Sequence, residues 1–173
     1  MARIATKKRT TKETDIEVTL NLDGTGNNQI DTGIGFFDHM LDGMARHGHH
    51  TIEDTGIVIG QAILEAVGDK AGIKRFGHMI LPMDETLALC AVDLSGRPYL
   101  KYDAEFTVEN IGELDTEMIK EFFYAISYSA MMNIHLKIMD GENNHHMAEA
   151  LFKSFGKALD MATMREPRID EAW

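Results

Sequence analysis

The chain contains His49-His50-Thr51-Ile52-Glu53 and repeats the pattern as His145-His146-Met147-Ala148-Glu149. In each copy, two adjacent imidazoles precede a carboxylate that lies four positions after the first of them. Positions i and i+4 are neighbours on a helix, so the first His and the Glu share one face while the second His points elsewhere. The pattern therefore favours metal binding, in which each copy could serve two metals or bridge two subunits. For a single copy, the start of a solvated helix would be the alternative.

The repeat extends beyond these two copies. Three further pairs of matching residues are 72, 72 and 77 positions apart: Glu13 with Glu85, Gly24 with Gly96, and Asp38 with Asp115. A steady offset indicates an internal duplication, with residues 1–76 and 77–173 as the two halves of one compact domain. His49 and His145 are 96 positions apart, so the offset then grows by 19. We therefore expect one strand to be absent from the first half, between Gly48 and His49.

Composition narrows the class of protein. The 173 residues are 44% hydrophobic, which is enough for a core, and the net charge of -11 argues against binding to nucleic acid. The basic residues near the N-terminus are not followed by an apolar stretch, so neither a signal peptide nor a membrane span is predicted. The single Cys90 excludes an internal disulfide, fits a reducing cytoplasm, and stands in an apolar alternation typical of a core strand.

Hydrophobic periodicity predicts a mixed α+β chain. Alternating apolar residues predict strands over 16–22, 86–94, 99–106 and 133–139. Helical spacing predicts helices over 38–47, 50–67, 115–130 and 145–164, with Gly68 as a helix stop.

A set of motifs, in order along almost the whole chain, carries a family resemblance. The motifs are Thr11-Lys12-Glu13-Thr14, Leu20-Asn21-Leu22-Asp23-Gly24-Thr25-Gly26, Phe36-Phe37-Asp38-His39-Met40-Leu41, Ala45-Arg46-His47-Gly48, His49-His50-Thr51-Ile52-Glu53-Asp54, Arg75-Phe76-Gly77, Met83-Asp84-Glu85, Asp93-Leu94-Ser95-Gly96-Arg97-Pro98-Tyr99 and Gly141-Glu142-Asn143-Asn144-His145-His146. With them, the chain resembles the imidazoleglycerol-phosphate dehydratases of histidine biosynthesis. So many ordered motifs are far more specific than one short match.

The resemblance implies a duplicated α+β fold of the ribosomal protein S5 domain 2-like kind, in which each half is a small mixed sheet packed by helices. It implies a homo-oligomeric shell of 24 subunits built from trimers, with active sites between subunits. It also implies two manganese ions (Mn2+) per active site, although imidazole and carboxylate ligands would equally suit iron or zinc. The implied ligands are His39, His49, His50, Glu53, His135, His145, His146 and Glu149.

The implied reaction is dehydration of imidazoleglycerol phosphate to imidazoleacetol phosphate. By resemblance, Glu13 moves a proton, while His47 and Asp84 lie near the substrate. The implied phosphate ligands are Arg75, Arg97 and Lys153. Each assignment has a structural alternative: Lys153, for example, stands four residues after Glu149 and could simply form a helix-surface ion pair with it.

Two features depart from the family pattern. One is the expected gap before His49, and the other is the absence of the family's Ser/Thr-Lys-Gly tail from a sequence that stops at Trp173. A metal-bound shell or assembly protein with impaired catalysis is therefore one alternative function. A two-metal hydrolase, which similar ligands could serve by activating water, is another.

Overall fold

A computed structural model describes residues 2–27, 29–44 and 52–169. In these ranges the strands are β1 (Ile4–Thr10), β2 (Asp15–Asn21), β3 (Phe76–Met83), β4 (Thr86–Asp93), β5 (Tyr99–Asp103), β6 (Asn110–Ile111), β7 (Leu114–Asp115) and β8 (Asn133–Asp140). The helices are α1 (Gly35–Met44), α2 (Ile52–Val67), α3 (Glu117–Ala130) and α4 (Asn144–Thr163). No helix in these ranges combines the length and the apolarity that a membrane span requires.

A four-stranded sheet in the order β3-β4-β8-β5 forms the second half. Its neighbours are antiparallel except for β5, which runs parallel to β8. In β4, alternate residues from Thr86 to Val92 are buried, so one face of the sheet packs against α4. Cys90 lies on that face, where burial raises the pKa of its thiol, and its predicted core position is confirmed.

The first-half sheet is smaller. Antiparallel β1 and β2 match β3 and β4, since Ile4 and Phe76 are 72 positions apart, but the described residues hold no counterpart of β5 or β8. Within the described ranges the first-half sheet has two strands and the second-half sheet has four, and the absence of one strand between Gly48 and His49 stays a prediction. In the second half, β8 is the one described strand that pairs with β5. The junction itself, residues 45–51, lies outside the described residues.

Helices from the two halves pack against each other. Helix α2 covers β1 and β2 and lies along α3, while α4 covers β3 and β4 and contacts α1. Gly56 and Gly60 permit the close approach of α2 to α3, because an added Cβ would stand 2.7 Å from Phe122 O and 2.7 Å from Ser129 Cβ, respectively. Across the halves, the rings of Phe37 and Phe122 meet edge to face at 5.3 Å. The hydrophobic core is thus shared, and a boundary at residue 76 stays a prediction.

Most predicted elements are confirmed, with differences at their ends. The predicted strand over 99–106 ends at Asp103. The first helix begins at Gly35, so Asp38 lies in its first turn, where the backbone N–H of Thr32 donates to the Asp38 carboxylate at 2.7 Å. The predicted end of that helix, residues 45–47, lies outside the described residues. Strands β1 and β3 were missed, because a basic run interrupts β1 and Gly77 and Pro82 interrupt β3.

Candidate metal centre and phosphate site

Three potential metal ligands from two helices meet at the N-terminal end of α4. His145 and Glu149 are one helical turn apart on α4, and His39 comes from α1, which packs against it. Glu149 Oε2 lies 3.1 Å from His145 Nε2 and 3.3 Å from His39 Nε2. All three ligand atoms lie within 4.8 Å of one another. Two imidazole nitrogens and one carboxylate oxygen form a donor set that manganese, iron and zinc accept, with coordination positions to spare.

The carboxylate of this cluster is ionised. Glu149 is only 8% exposed, whereas both imidazoles are exposed. Burial acts to raise the pKa of Glu149, but a 2.6 Å ion pair with Lys153 and the proximity of His39 outweigh it, so the pKa is lowered. Lys153 Nζ pairs with Glu149 Oε1, and Glu149 Oε2 faces the imidazoles. A fixed negative charge therefore stands where a cation would bind.

His146 points in a second direction, as the spacing predicted. Its ring lies at 82° to that of His145, with 6.1 Å between centroids. His146 Nδ1 is 2.8 Å from Glu85 Oε2, and this hydrogen bond raises the pKa of His146. The same bond, with two backbone N–H groups that precede α4, lowers the pKa of Glu85. When Nδ1 carries the proton shared with Glu85, Nε2 is free to bind a metal.

Asp84 stands beside this second imidazole. The Asp84 carboxylate is 3.8 Å from His146 Nε2 and its side chain is 80% exposed. Its φ of 49° belongs to the tight turn between β3 and β4. The proposed substrate contact at Asp84 therefore lies on an accessible surface next to a proposed metal ligand.

The first-half counterparts are described only in part. His47, His49 and His50 lie outside the described residues. Glu53 is exposed in the first turn of α2, and Glu13 is exposed in the turn between β1 and β2. The repeat places Glu13 and Glu85 in matching hairpin turns, and Glu85 lies next to the helix that carries His145 and His146.

Asp54 ties the turn that bears Glu13 to the start of α2. Its Oδ1 accepts from Arg9 Nε at 2.8 Å, and its Oδ2 accepts from Thr14 Oγ1 at 2.8 Å. The Asp54 side chain is 14% exposed, so these bonds are partly shielded from water. The contacts hold Glu13 at a defined distance from the helix that carries Glu53.

His135 lies away from the cluster. It pairs in register with Ala91 on the exposed face of the second-half sheet, and its ring is 5.8 Å from that of Tyr99. Its neighbours Ile134 and Leu136 are buried on the opposite face. Because side chains alternate along a strand, His135 cannot reach the cluster of His39, His145 and Glu149 through the sheet.

The two arginines predicted to bind phosphate lie near the other end of α4. The backbone N–H of Arg75 donates to Ala162 O at 2.9 Å. At a rise of about 1.5 Å per residue, the stretch of α4 from Glu149 to Ala162 spans about 20 Å. The Arg75 guanidinium pairs with Asp93 through Nε at 2.6 Å and Nη2 at 3.2 Å, which raises its pKa. Lys153 lies instead at the metal end, so the three predicted phosphate ligands divide between two places.

Arg97 belongs to a turn that other residues hold in place. Ser95 Oγ accepts from the backbone N–H of Arg97 at 3.2 Å, and Asn133 Nδ2 donates to Arg97 O at 2.7 Å. The Arg97 side chain is exposed. Its backbone is therefore fixed at the end of the sheet where β3 begins and β4 ends.

Known proteins resemble this chain over nearly its whole length. The family model described as "Imidazoleglycerol-phosphate dehydratase" matches residues 48–159. A curated protein of that name from Lachnoclostridium phytofermentans is 59% identical over 98% of this chain and 94% of its own length. Another, from Gluconacetobacter diazotrophicus, is 51% identical over 96% of this chain and 92% of its own. The chain belongs to the imidazoleglycerol-phosphate dehydratase family.

Solved structures of imidazoleglycerol-phosphate dehydratases share the fold. The crystal structure from Staphylococcus aureus subsp. aureus N315 superimposes with a TM-score of 0.85 at 39% identity, covering 94% of this chain and 99% of that one. The Pyrococcus furiosus structure, in complex with (S)-C348, gives a TM-score of 0.79 at 34% identity, covering 95% and 97%. The predicted α+β fold of small mixed sheets packed by helices is confirmed.

Two residues beside the candidate dehydratase site were absent from the residues predicted for it. Glu85 orients His146, and Asp54 holds the turn of Glu13. The repeat contained the signal for Glu85, because it pairs Glu85 with Glu13. No spacing in the sequence indicates the role of Asp54, since its partners lie 40 and 45 positions away.

Proposed function

We propose that this chain catalyses the dehydration of D-erythro-imidazoleglycerol phosphate to imidazoleacetol phosphate, in histidine biosynthesis. The observation that carries the proposal is the cluster of His39, His145 and Glu149, in a chain that matches dehydratases over nearly its full length. The proposal includes two manganese ions per site and a cytoplasmic location. The remaining implied ligands are His49, His50, Glu53, His135 and His146.

The product dictates which bonds must change. Its ketone stands on the carbon next to the one that bears the ring, so the hydroxyl group leaves from the ring-bearing carbon and the proton leaves from its neighbour. The resulting enol then takes a proton on the ring-bearing carbon and becomes the ketone. The chemistry that manganese would supply is Lewis acidity toward the ring nitrogens, which helps the ring to accept and return charge.

The side chains divide the remaining work. Glu13 is the proposed base for the carbon-bound proton, and its turn is tied to α2 through Asp54. Asp84 and His47 are proposed to orient hydroxyl groups or relay protons. Arg75 and Arg97 are proposed to bind the phosphate, since a guanidinium group can donate to two oxygens at once.

The active site is proposed to form between subunits of a 24-mer built from trimers. Two features of the single chain support shared sites. The metal cluster and Arg75 lie at opposite ends of about 20 Å of α4, too far apart to be bridged by a substrate whose ring and phosphate are joined by three carbons. His135 lies on the outer face of the sheet, away from the cluster of its own chain. The proposal therefore has His135 join the equivalent cluster of a neighbouring chain.

Turnover tests the proposal directly. The purified chain, loaded with manganese, is expected to convert imidazoleglycerol phosphate to imidazoleacetol phosphate. Glu13→Gln should lower kcat by about 10²- to 10⁴-fold, because it removes the base but keeps the shape of the side chain. Glu17→Gln, on an exposed position of β2, is the matched control and should keep its activity. Absence of turnover by a chain with metal demonstrably bound would overturn the proposal and favour the assembly protein.

A further inference from the structure

Lys70 extends from the loop between α2 and β3 toward the end of the second-half sheet. Its backbone is in the left-handed region, with φ of 63°, and its N–H donates to Val67 O at 3.0 Å. The half-buried side chain reaches the turn that follows β4. Lys70 Nζ lies 3.7 Å from the position that a Cβ on Gly96 would occupy. The ammonium group therefore lies directly beside the turn that carries Arg97.

The charges around Lys70 leave it without a carboxylate of its own. Asp93 is the nearby acid, and the Arg75 guanidinium already binds both of its oxygens. Among the described residues, no hydrogen bond or ion pair joins Lys70 Nζ to a partner. Burial and the positive charge of Arg75 both lower the pKa of Lys70, with Asp93 acting in the opposite direction. This end of the sheet thus holds more positive than negative charge.

The backbone turn beside Lys70 leaves the ammonium group uncovered on the side of Gly96. Gly96 has no side chain, its φ is 79°, and Lys70 Nζ is the one described atom within 4 Å of its missing Cβ. Hydrogen bonds with Ser95 and Asn133 fix the backbone of the turn at Arg97, beside the ammonium group. A small anion placed there would meet a partly dehydrated ammonium group, and charge-assisted hydrogen bonds are strong in such places.

We propose that Lys70 is a further phosphate-binding residue, which joins Arg75 and Arg97 in holding the phosphate monoester of the substrate. The assignment of this phosphate to the substrate rests on the proposed function. A free phosphate ion offers the same chemistry, so the test measures both.

The test compares Lys70→Met with Lys74→Met in the metal-loaded protein. Both variants remove one positive charge from the same loop, but the Lys74 ammonium lies against Met164 Sδ, away from Gly96. Lys70→Met should raise KM by about ten- to a hundredfold, the loss expected for one hydrogen bond to a charged group, with kcat nearly unchanged. It should weaken inhibition by inorganic phosphate to a similar extent. Lys74→Met should change neither, and Lys70→Arg should recover most of the loss.

Calorimetric titration with inorganic phosphate separates this inference from the proposed function. Weaker phosphate binding by Lys70→Met, in a chain without turnover, would support Lys70 while the proposed function fails. Unchanged KM and unchanged phosphate binding would overturn the role of Lys70, even in an active dehydratase. Unchanged KM with weaker free-phosphate binding would overturn the assignment to substrate. If Lys70→Met does not fold, the same titration of Lys70→Gln tests whether Lys70 binds phosphate.

Discussion

Glu85 connects the hairpin turn before β4 to the start of α4. One of its oxygens accepts from His146, and the other accepts from the backbone N–H groups of Glu142 and Asn143 at 3.2 and 2.7 Å. A carboxylate in this place selects the imidazole tautomer and fixes the direction of the free nitrogen. The proposed second metal position would therefore depend on a residue that is not itself a proposed ligand.

Glu85→Gln should weaken metal binding by about 10- to 100-fold, because the amide is a poorer acceptor for the His146 N–H. Metal titration followed by calorimetry measures this change. Glu142→Gln is the matched control, since Glu142 meets Glu85 through its backbone N–H and should bind metal as the unaltered chain does. Equal metal affinity in Glu85→Gln would contradict the orienting role.

At the level of single residues, the sequence could predict contacts along one helix but not across elements. His145 and Glu149 follow from the i, i+4 rule, and so does the ion pair between Glu149 and Lys153. His39 is 110 positions from Glu149, and its inclusion came from the family resemblance. The pairing of His146 with Glu85 could be found only from the tertiary structure, because it joins a hairpin turn to a helix.

Strand β3 and helix α4 make a close backbone contact at Gly77. A Cβ added to Gly77 would stand 1.9 Å from Ala158 O and 2.8 Å from Ala162 N. Both are backbone atoms of a helix, so a rotamer change cannot relieve the overlap. Gly77 therefore sets the distance between the sheet and the helix that carries the metal cluster.

Gly77→Ala should lower the free energy of unfolding by about 1–3 kcal/mol, because the strand and helix must move apart. Unfolding in urea gives the value. Gly35→Ala serves as the control, since nothing lies within 4 Å of its Cβ position, and it should change stability by less than about 0.5 kcal/mol. Equal stability of the two variants would refute the close packing of β3 on α4.

The N-terminal strand is attached by a pair that responds to acid. Arg3 donates through its side chain and its backbone N–H to Asp23, and this lowers the pKa of Asp23 from 3.8 to about 2. Arg3 Nη1 also donates to Thr163 O at the end of α4. The pair thus links β1 to the turn after β2, and Arg3 extends the link to α4.

Because its pKa is lowered on folding, Asp23 contributes stability that is fully present above its unfolded pKa near 4 and is lost as the pH falls toward 2. Asp23→Asn should be less stable than the unaltered chain at pH 7. The difference in free energy of unfolding between the two proteins should disappear between pH 4 and pH 2. Urea unfolding at pH 7, 4 and 2 measures this difference. A gap that stays constant over this range would show that Asp23 acts through something other than its charge.

For the whole molecule, the separation of metal cluster and Arg75 predicts complementation between damaged chains. Arg75→Ala and Glu149→Gln should each abolish most turnover. When the two variants are unfolded together and reassembled, random mixing should leave about a quarter of the shared sites with both residues intact. Activity should therefore return, as measured by turnover per total chain.

Mixing Arg75→Ala with Arg97→Ala gives the control. Both residues lie at the same end of one sheet in one chain. Every site in the mixture therefore lacks either Arg75 or Arg97, and activity should stay low. If the Arg75→Ala and Glu149→Gln mixture also stays inactive, sites shared between chains are refuted.

The sequence by itself determined the duplication, the four described helices, four of the eight described strands, and the family. These rest on local periodicity, on spacing within one helix and on the order of motifs, which need no knowledge of distant contacts. Only the tertiary structure decided that His39 meets His145 and Glu149, that His135 faces outward, and that Arg75 lies about 20 Å along α4 from the metal ligands. These relations depend on how elements far apart in the chain pack through the shared core, which the spacing of residues does not contain.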